Sequence, residues 1–484
     1  MQNLILIHGA LGCGLELKDL QKQLSINFKV HIYEIPGHGN RSDEIKKIDF
    51  EYLIEDFDQF FSSIGPSYIF GFSLGGYLAL SYAQQTSKTI LGIITLGTKF
   101  NWSPEEALNE TKKLNPTFLK EKASSFYDYL EKLHKQNLKP LLSATEKFML
   151  TLGNTPRITS NSVKSITCPV RICRGGKDKM VTSEESIAIQ KNISNSLYFE
   201  VPSFIHPIGF LKANLVSRFI ESQIQSFSYN FIKTTNYGTI SYQKIKGFDE
   251  NKPILLFLHE ALGSIAQWKN FPELLCKSVE HNGIIIELQG YGYSSEFEGK
   301  RNSDYLHLSG FKQLPEIIHH IGVKNDIILI GHSDGGTNAL FLAKRLPQQI
   351  VGVVTMAAHC INEPETRAGI PPAINAFENG KLIGLELYHG KKTSKLFYDW
   401  ANTWLSDDFE DWNIINDIKN IQVPGLIIQG DKDQYGTKKQ VELIAACFDS
   451  KSQQKILANC GHSPHLEAQH ETIEIITEWI KNYK

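Results

Sequence analysis

The sequence has no excess of either charge. Its 50 basic and 52 acidic residues give a formal net charge of -2, and no run of lysine and arginine is long enough to follow a phosphate backbone. Nucleic acid is therefore not an expected partner. No stretch approaches the roughly 20 consecutive apolar residues that a membrane-spanning helix requires, so we expect no membrane span.

Cysteine pairs are also missing. The seven cysteines are odd in number and scattered, no two form a C-x-x-C pair, and none has a histidine at zinc-finger spacing. They are Cys13, Cys168, Cys173, Cys276, Cys360, Cys447 and Cys460. We expect reduced thiols. Because the first residues lack a basic leader and a small-residue cleavage site, we predict a cytoplasmic protein.

The two halves of the chain show the same order of predicted strands and helices. At 484 residues the sequence exceeds the roughly 250 to 300 at which one hydrophobic core stops growing, so two domains are expected. Short β-branched runs alternate with helical stretches in both halves, which predicts an α/β fold with mostly parallel sheets covered on both faces. Landmarks recur at a nearly constant offset, as with Ser73 and Ser333, which are 260 residues apart.

The predicted boundary lies near residue 227, after a helical stretch over 215–227. Residues 229–245 then alternate like a β-hairpin whose turn is at Asn236–Gly238. The first copy has no such hairpin, so its sheet should be about two strands smaller. We therefore expect domains at 1–227 and 228–484.

Each copy places a serine among closely spaced glycines. Residues 69–77 read I-F-G-F-S-L-G-G-Y and residues 329–337 read L-I-G-H-S-D-G-G-T. A strand that turns sharply into a helix exposes the residue at the turn, and bulky neighbours two places away would collide there. The pattern predicts an exposed serine hydroxyl beside the positive end of a helix dipole, a position that suits an oxyanion.

The partners that a serine nucleophile needs follow in order. Each serine precedes an aspartate that comes just after a strand, and a histidine lies 28 or 29 residues beyond that aspartate. These catalytic candidates are Ser73, Asp178 and His206 in the first copy and Ser333, Asp433 and His462 in the second. The histidine would accept the serine proton and the aspartate would orient the histidine.

Two residues compete for these roles in the second copy. Asp431 is a rival acid, but Asp433 stands three places after Gly430, as Asp178 stands three places after Gly175. His465 is a rival to the histidine at 462.

The loop after the first shared strand reads H-G-A-L-G from residue 8 and H-E-A-L-G from residue 259. We expect two backbone NH groups in each copy to form an oxyanion hole. The predicted pairs are Ala10 with Leu74, and Ala261 with Asp334. His8 and His259 are expected to hold this loop.

With G-F-S-L-G-G, G-G-K-D and I-H-P in one copy and G-H-S-D-G-G, G-D-K-D and C-G-H-S-P-H in the other, the chain resembles two fused α/β-hydrolase-fold proteins. The resemblance implies helix-flanked, mostly parallel sheets with helical lids, and esterase, thioesterase, lipase or carbon–carbon hydrolase activity without a metal or cofactor. Glu260 departs from the glycine that most relatives have.

An insertion before the acid of each copy, at about 101–165 and 360–421, predicts the lids. The first opens with N-W-S-P-E-E, a capping box in which Ser103 caps the helix, Pro104 occupies its first turn and Glu106 closes it. Aromatic residues are frequent in both insertions. They favour a small-molecule substrate with an apolar or aromatic acyl group.

The sequence therefore predicts a serine hydrolase that acts on ester or thioester bonds through acyl-enzyme intermediates. Two alternatives stay open. In the first alternative, one copy, more readily the first, is a non-catalytic ligand-binding or regulatory domain. In the second, the triads belong to an acyltransferase, a lyase or a carbon–carbon hydrolase. The sequence leaves the oligomeric state undetermined.

Overall fold

The computed structural model describes residues 1–449 and 452–482. The chain forms two compact units, Met1–Phe227 and Ser228–Lys484. No helix in the described part of the chain is both long and apolar enough to cross a bilayer.

The first unit is built on a six-stranded parallel sheet in the order β2-β1-β3-β4-β5-β6. Its strands are β1 (Asn3–Ile7), β2 (Lys29–Tyr33), β3 (Ser67–Phe72), β4 (Ile90–Leu96), β5 (Val170–Gly175) and β6 (Ser196–Val201). Leu4, Ile5, Leu6 and Ile7 are all fully buried, as expected for a strand covered by helices on both faces.

Helices follow the strands of the first unit. They are α1 (Lys18–Leu24), α2 (Phe50–Ile64), α3 (Leu74–Ala83), α4 (Pro104–Lys112), α5 (Pro116–Lys122), α6 (Ser124–His134), α7 (Leu138–Asn154), α8 (Ser183–Gln190) and α9 (Ala213–Ser226). Helix α2 shows why they form. The Asp49 side chain caps its first turn, and Phe50, Leu53, Phe57 and Phe61 recur at helical spacing on its buried face.

The second unit has an eight-stranded sheet in the order β14-β13-β12-β11-β9-β10-β8-β7. Its strands are β7 (Tyr229–Lys233), β8 (Thr239–Ile245), β9 (Ile254–Leu258), β10 (Gly283–Ile286), β11 (Ile327–His332), β12 (Ile350–Met356), β13 (Gly425–Gly430) and β14 (Ser452–Leu457). The predicted hairpin is β7 and β8, whose antiparallel pairing adds two strands that the first sheet lacks.

The second unit has a larger set of helices, several of them a single turn long. They are α10 (Phe271–Val279), α11 (Tyr305–Leu308), α12 (Leu314–Ile321), α13 (Asp334–Arg345), α14 (Pro364–Glu378), α15 (Glu386–His389), α16 (Thr393–Leu405), α17 (Ile415–Ile418), α18 (Lys438–Ala445), α19 (Pro464–Glu467) and α20 (Gln469–Asn482).

The lid insertions are helical in both units. Helices α4 to α7 lie between β4 and β5, and α14 to α17 lie between β12 and β13. Ser103 caps α4 through a hydrogen bond from the Glu106 backbone NH. The Glu106 side chain does not close a capping box as predicted, because its carboxylate pairs with the buried Lys99 ammonium at 2.7 Å.

Parallel strands bring their carboxyl ends to one edge of each sheet. In the first unit β3 ends at Phe72, β5 at Gly175 and β6 at Val201. The segments that follow these ends carry the predicted serine, aspartate and histidine. The second sheet repeats this arrangement after β11, β13 and β14.

Candidate active site

Both candidate nucleophiles occupy a strained turn between a strand and a helix. Ser73 joins β3 to α3 with φ 50° and ψ -114°, and Ser333 joins β11 to α13 with φ 53° and ψ -120°. A positive φ is uncommon for a residue with a side chain and persists only where the surroundings enforce it.

Nearby glycines allow this turn because their backbones nearly touch. A Cβ on Gly71 would lie 2.5 Å from the Gly75 carbonyl oxygen, and a Cβ on Gly75 would lie 2.5 Å from the carbonyl oxygen of Ile7. In the second unit a Cβ on Gly335 would overlap the Leu258 carbonyl group. Only glycine fits where helix, strand and loop backbones approach so closely.

The structure brings the three predicted residues of the second unit together. His462 Nε2 is 3.0 Å from Ser333 Oγ, and His462 Nδ1 is 2.9 Å from both carboxylate oxygens of Asp433. A carboxylate only accepts hydrogen bonds, so Nδ1 carries the hydrogen and Nε2 presents its lone pair to the serine hydroxyl. Asp433 also accepts from Gln429 Nε2 and from the Tyr435 backbone NH, at 2.7 and 2.8 Å.

The surroundings of this group keep Asp433 ionised and make His462 more basic. Burial would raise the pKa of Asp433, but the hydrogen bond and charge of His462, the Tyr435 backbone NH and His359 together hold that pKa below its usual value. Burial alone would lower the pKa of His462, but Asp433 raises it, with support from Glu260 and Asp334. A histidine so stabilised as a cation is a stronger proton acceptor.

Neither rival residue joins this group. The Asp431 carboxylate lies 3.9 Å from the Lys432 ammonium. The His465 ring packs against Trp268 and His332, with ring centroids 4.8 and 4.6 Å away, and burial lowers its pKa to about 3.

The first unit brings its aspartate and histidine together but leaves the serine apart. His206 Nδ1 is 2.8 Å from Asp178 Oδ2, and Asp178 also accepts from the backbone NH groups of Met180 and Val181. Within the described residues no hydrogen bond joins Ser73 to His206. The His206 side chain is 20% exposed, against 10% for His462.

Histidines hold both of the predicted oxyanion loops. His8 Nδ1 lies 2.9 Å from the Gly9 carbonyl oxygen, and its Nε2 lies 3.0 Å from the Ile35 backbone nitrogen. His259 makes the same two contacts, to the Glu260 carbonyl oxygen and the Leu288 backbone nitrogen. One predicted NH donor of each copy, Ala10 or Ala261, stands two residues after the loop histidine. The other, Leu74 or Asp334, stands directly after the serine.

An apolar cavity opens at the first candidate site. It has a volume of ≈ 210 Å³ and is lined at one end by Ala10, Ser73, Leu74 and His206. Half of its other lining residues are apolar side chains of the lid insertion, and the charged residues Lys99, Glu110 and Lys113 also line it. The apolar lid residues are Trp102, Leu114, Leu119, Phe126, Phe148, Met149 and Leu152.

The second candidate site has polar side-chain contacts that the sequence did not predict. Tyr305 donates to the Asp334 carboxylate at 2.6 Å and accepts from Trp404 Nε1 at 2.7 Å. Burial raises the pKa of Asp334 to about 6. A cavity of ≈ 320 Å³ is lined by Asp334, Tyr305 and Arg301. The signal for Asp334 was its place directly after the serine, where the first unit has leucine.

Glu260 also lies at this site. One of its carboxylate oxygens and one ring nitrogen each of His332 and His462 lie within 4.8 Å of one another. Burial raises the pKa of the Glu260 carboxyl group, although His462 opposes the shift. The sequence marked Glu260 as unusual, but it gave no sign that His332 would face it.

Comparison with known families matches each half of the chain separately. Residues 2–208 match the family model described as serine aminopeptidase, S33. Residues 255–475 match the alpha/beta hydrolase family model. The two matches follow one another along the chain and leave a short segment between them.

Curated relatives include hydrolases of several kinds. The biotin biosynthesis bifunctional protein BioHC of Teredinibacter turnerae is 34% identical over 274 residues, covering 48% of this chain and 45% of that protein. The proline iminopeptidase PfmaB of Pestalotiopsis fici is 26% identical over 256 residues, covering 46% of this chain and 91% of that protein. The match therefore spans less than half the length of the bifunctional relative.

Among solved structures, a membrane phospholipase A described as a bacterial virulence factor aligns with a TM-score of 0.47 at 18% identity. The alignment covers 56% of this chain and 93% of that one.

Proposed function

We propose, from the premise that this chain is two α/β-hydrolase domains in tandem, that it is a serine hydrolase acting on ester or thioester bonds. The observation that carries the proposal is the position of His462, within hydrogen-bond distance of both Ser333 and Asp433. The curated relatives of the chain include a proline iminopeptidase and a monoacylglycerol lipase.

In the second domain Ser333 Oγ attacks the acyl carbon while its proton passes to His462 Nε2. Asp433 stabilises the imidazolium, and the backbone NH groups of Ala261 and Asp334 bind the oxyanion of the tetrahedral intermediate. His462 then gives the proton to the leaving alcohol or thiol, which leaves an acyl group on Ser333. Water then attacks the acyl carbon while His462 takes one of its protons; the Ser333 Oγ–acyl bond breaks, His462 returns that proton to Ser333 Oγ, and the carboxylic acid is released.

In the first domain Ser73, His206 and Asp178 would act in the same order, with oxyanion donors at Ala10 and Leu74. Catalytic hydrogen bonds often tighten only when substrate binds, so the separation of Ser73 from His206 is compatible with this role. The apolar lining of the adjacent cavity supports an apolar or aromatic acyl group as substrate.

The same separation favours the second candidate function, in which the first domain binds ligand without turnover. A serine whose hydroxyl has no base in hydrogen-bond reach is not activated. The two proposals differ in whether Ser73 reacts.

We also place the protein in the cytoplasm, with no cofactor in its reaction. All seven cysteines lie in the described residues and are unpaired, which is the usual state in a reducing compartment.

The test is labelling of the intact protein with a fluorophosphonate probe, followed by peptide mapping. Two labelled peptides, containing Ser73 and Ser333, are expected if both domains are active. Label on Ser333 alone would favour the non-catalytic first domain. Absence of label from both serines would contradict the proposed chemistry.

Product analysis separates hydrolysis from transfer. With a short-chain alcohol added as a second acceptor, a hydrolase releases mainly the free acid, whereas an acyltransferase yields the new ester.

A further inference from the structure

Three side chains of the second domain direct metal-binding atoms at one another. One carboxylate oxygen of Glu260 and one ring nitrogen each of His332 and His462 all lie within 4.8 Å of one another. Across residues 1–449 and 452–482, no other set of three His, Cys, Asp or Glu side chains meets this criterion. Both histidines are buried and Glu260 is partly buried.

Each of the three residues is positioned by an element of the fold. Glu260 follows β9, His332 is the last residue of β11, and His462 lies in the loop after β14. Strands β9 and β11 are hydrogen-bonded neighbours, which fixes the spacing between the first two. The site is therefore built on the rigid carboxyl edge of the sheet.

Hydrogen bonds orient both imidazoles as they do in metal sites. His462 Nδ1 donates to Asp433 at 2.9 Å, so the nitrogen left for a metal is Nε2. His332 Nε2 lies 2.8 Å from the His462 carbonyl oxygen. A carbonyl only accepts, so this nitrogen carries the hydrogen and the lone pair of His332 is on Nδ1. Metal-binding histidines commonly donate their other NH to a carboxylate or a backbone carbonyl in this way.

We propose that Glu260, His332 and His462 bind one divalent transition-metal ion. Two imidazoles and a carboxylate form a donor set that binds zinc and its neighbours in the first transition row. Magnesium and calcium prefer sets of oxygen ligands, so they are disfavoured. Zinc holds nitrogen at about 2.0–2.1 Å, so the donors must close to roughly 3.4 Å from one another on binding. A partly exposed glutamate side chain can make that movement.

The bound ion would inhibit the Ser333-dependent activity of the second domain. It takes the lone pair of His462 Nε2, the atom that lies 3.0 Å from Ser333 Oγ and would receive the serine proton. This consequence rests on the proposed role of Ser333, whereas metal binding itself does not.

The first domain provides an internal control because it lacks two of the three ligands. Gly9 stands in place of Glu260 and Phe72 in place of His332. A Cβ on Gly9 would lie 3.0 Å from the Phe72 ring and 3.1 Å from Ser73 Cβ. A side chain at this position would be crowded, and of the three corresponding ligands only His206 is present.

Binding is tested on the full chain, freed of metal with a chelator, by titration with Co²⁺ and observation of its visible absorption. One Co²⁺ per chain is expected, displaced by Zn²⁺ and unaffected by excess Mg²⁺. E260Q and H332F should each weaken this site at least tenfold, the loss that even outer-shell partners of a metal can cause. H470A should leave it unchanged, since His470 is 89% exposed and pairs only with Glu474 on the same helix.

No saturable Co²⁺ site, or a site that E260Q weakens less than twofold, would overturn the proposal. If H332F fails to fold, E260Q alone decides the question, because Glu260 is only partly buried and glutamine keeps the size of its side chain.

Inhibition is tested with the fluorophosphonate probe. Zn²⁺ at saturation should slow labelling of Ser333 at least tenfold in the wild type and less than twofold in E260Q. Labelling of Ser73 should not change. Equal protection of both serines would contradict a site specific to the second domain. If Ser333 took no label even without metal, the proposed catalytic role would fail while the Co²⁺ result still decided the metal site.

Discussion

The two candidate sites share a backbone and differ in the side chains around the serine. Both serines have nearly the same strained conformation, with φ 50° and 53°. In the first domain the serine is preceded by Phe72 and opens onto an apolar cavity. In the second, His332 and Asp334 flank the serine and Glu260 lies close to His332 and His462. The close approach of glycine backbones preserves the turn, whereas the positions next to the serine are free to diverge.

The largest expected effect separates the two activities. Each domain carries its own candidate serine, acid, histidine and oxyanion donors, so we expect S73A and S333A each to lower one activity by about 10^6 in kcat and to spare the other. The measurement is turnover of a panel of p-nitrophenyl esters and acyl-CoA thioesters. If either variant alone silenced every substrate of the wild type, the domains would not be independent.

The next effect concerns the acid of the second domain. D433N should lower the Ser333-dependent activity by about 10^4, because an asparagine favours the wrong tautomer of His462. D431N is the matched control and should leave kcat within twofold, since its carboxylate lies by Lys432. Equal losses in both variants would show that the acid had been misassigned.

The third prediction compares the stability of the two domains when a glycine beside each serine is replaced. G75A and G335A should each destabilise their own domain by about 1–3 kcal/mol through overpacking. G335A should cost more, because its Cβ would overlap the Leu258 carbonyl more closely than a Cβ on Gly75 would overlap that of Ile7. Urea unfolding followed by peptide-resolved hydrogen exchange assigns each loss. An equal or reversed order would contradict the structural difference.

The smallest effect is a pH dependence in the first domain. Burial would raise the pKa of Asp178, but the hydrogen bond and charge of His206 and the backbone NH groups of Met180 and Val181 together hold that pKa below its usual value. Its stabilising contribution is therefore present above the unfolded pKa of about 3.9 and is lost as the pH falls through the lower folded value. D178N should remove this part of the acid sensitivity, measured as hydrogen exchange of β5 peptides between about pH 6 and pH 3, corrected for the intrinsic rate. An unchanged pH dependence would exclude Asp178 as its source.

Sequence periodicity was sufficient for the fold because strands and helices each depend on local pattern. The alternation over 229–245 predicted the β7–β8 hairpin, and the first sheet is indeed two strands smaller. The resemblance to α/β-hydrolases is likewise confirmed by the matches in each half.

Contacts between side chains of different structural elements could not be predicted from sequence periodicity. Ser103 capped its helix as predicted, but Glu106 did not complete the capping box because Lys99 binds its carboxylate. The neighbours of Ser333 were missed for the same reason. Glu260 and His332 are 72 residues apart in the sequence, and only the pairing of β9 with β11 brings them together.

The β7–β8 hairpin also changes how each sheet ends. In the second domain it covers β10, whereas in the first sheet β2 is the outermost strand. An outer strand exposes a row of backbone NH and carbonyl groups that can recruit a strand from another chain. Lys29 and His31 in β2 place polar side chains at alternate positions of the strand, a common safeguard against such pairing. Replacing both with valine would make the first domain the part of this protein most prone to form intermolecular β-sheet.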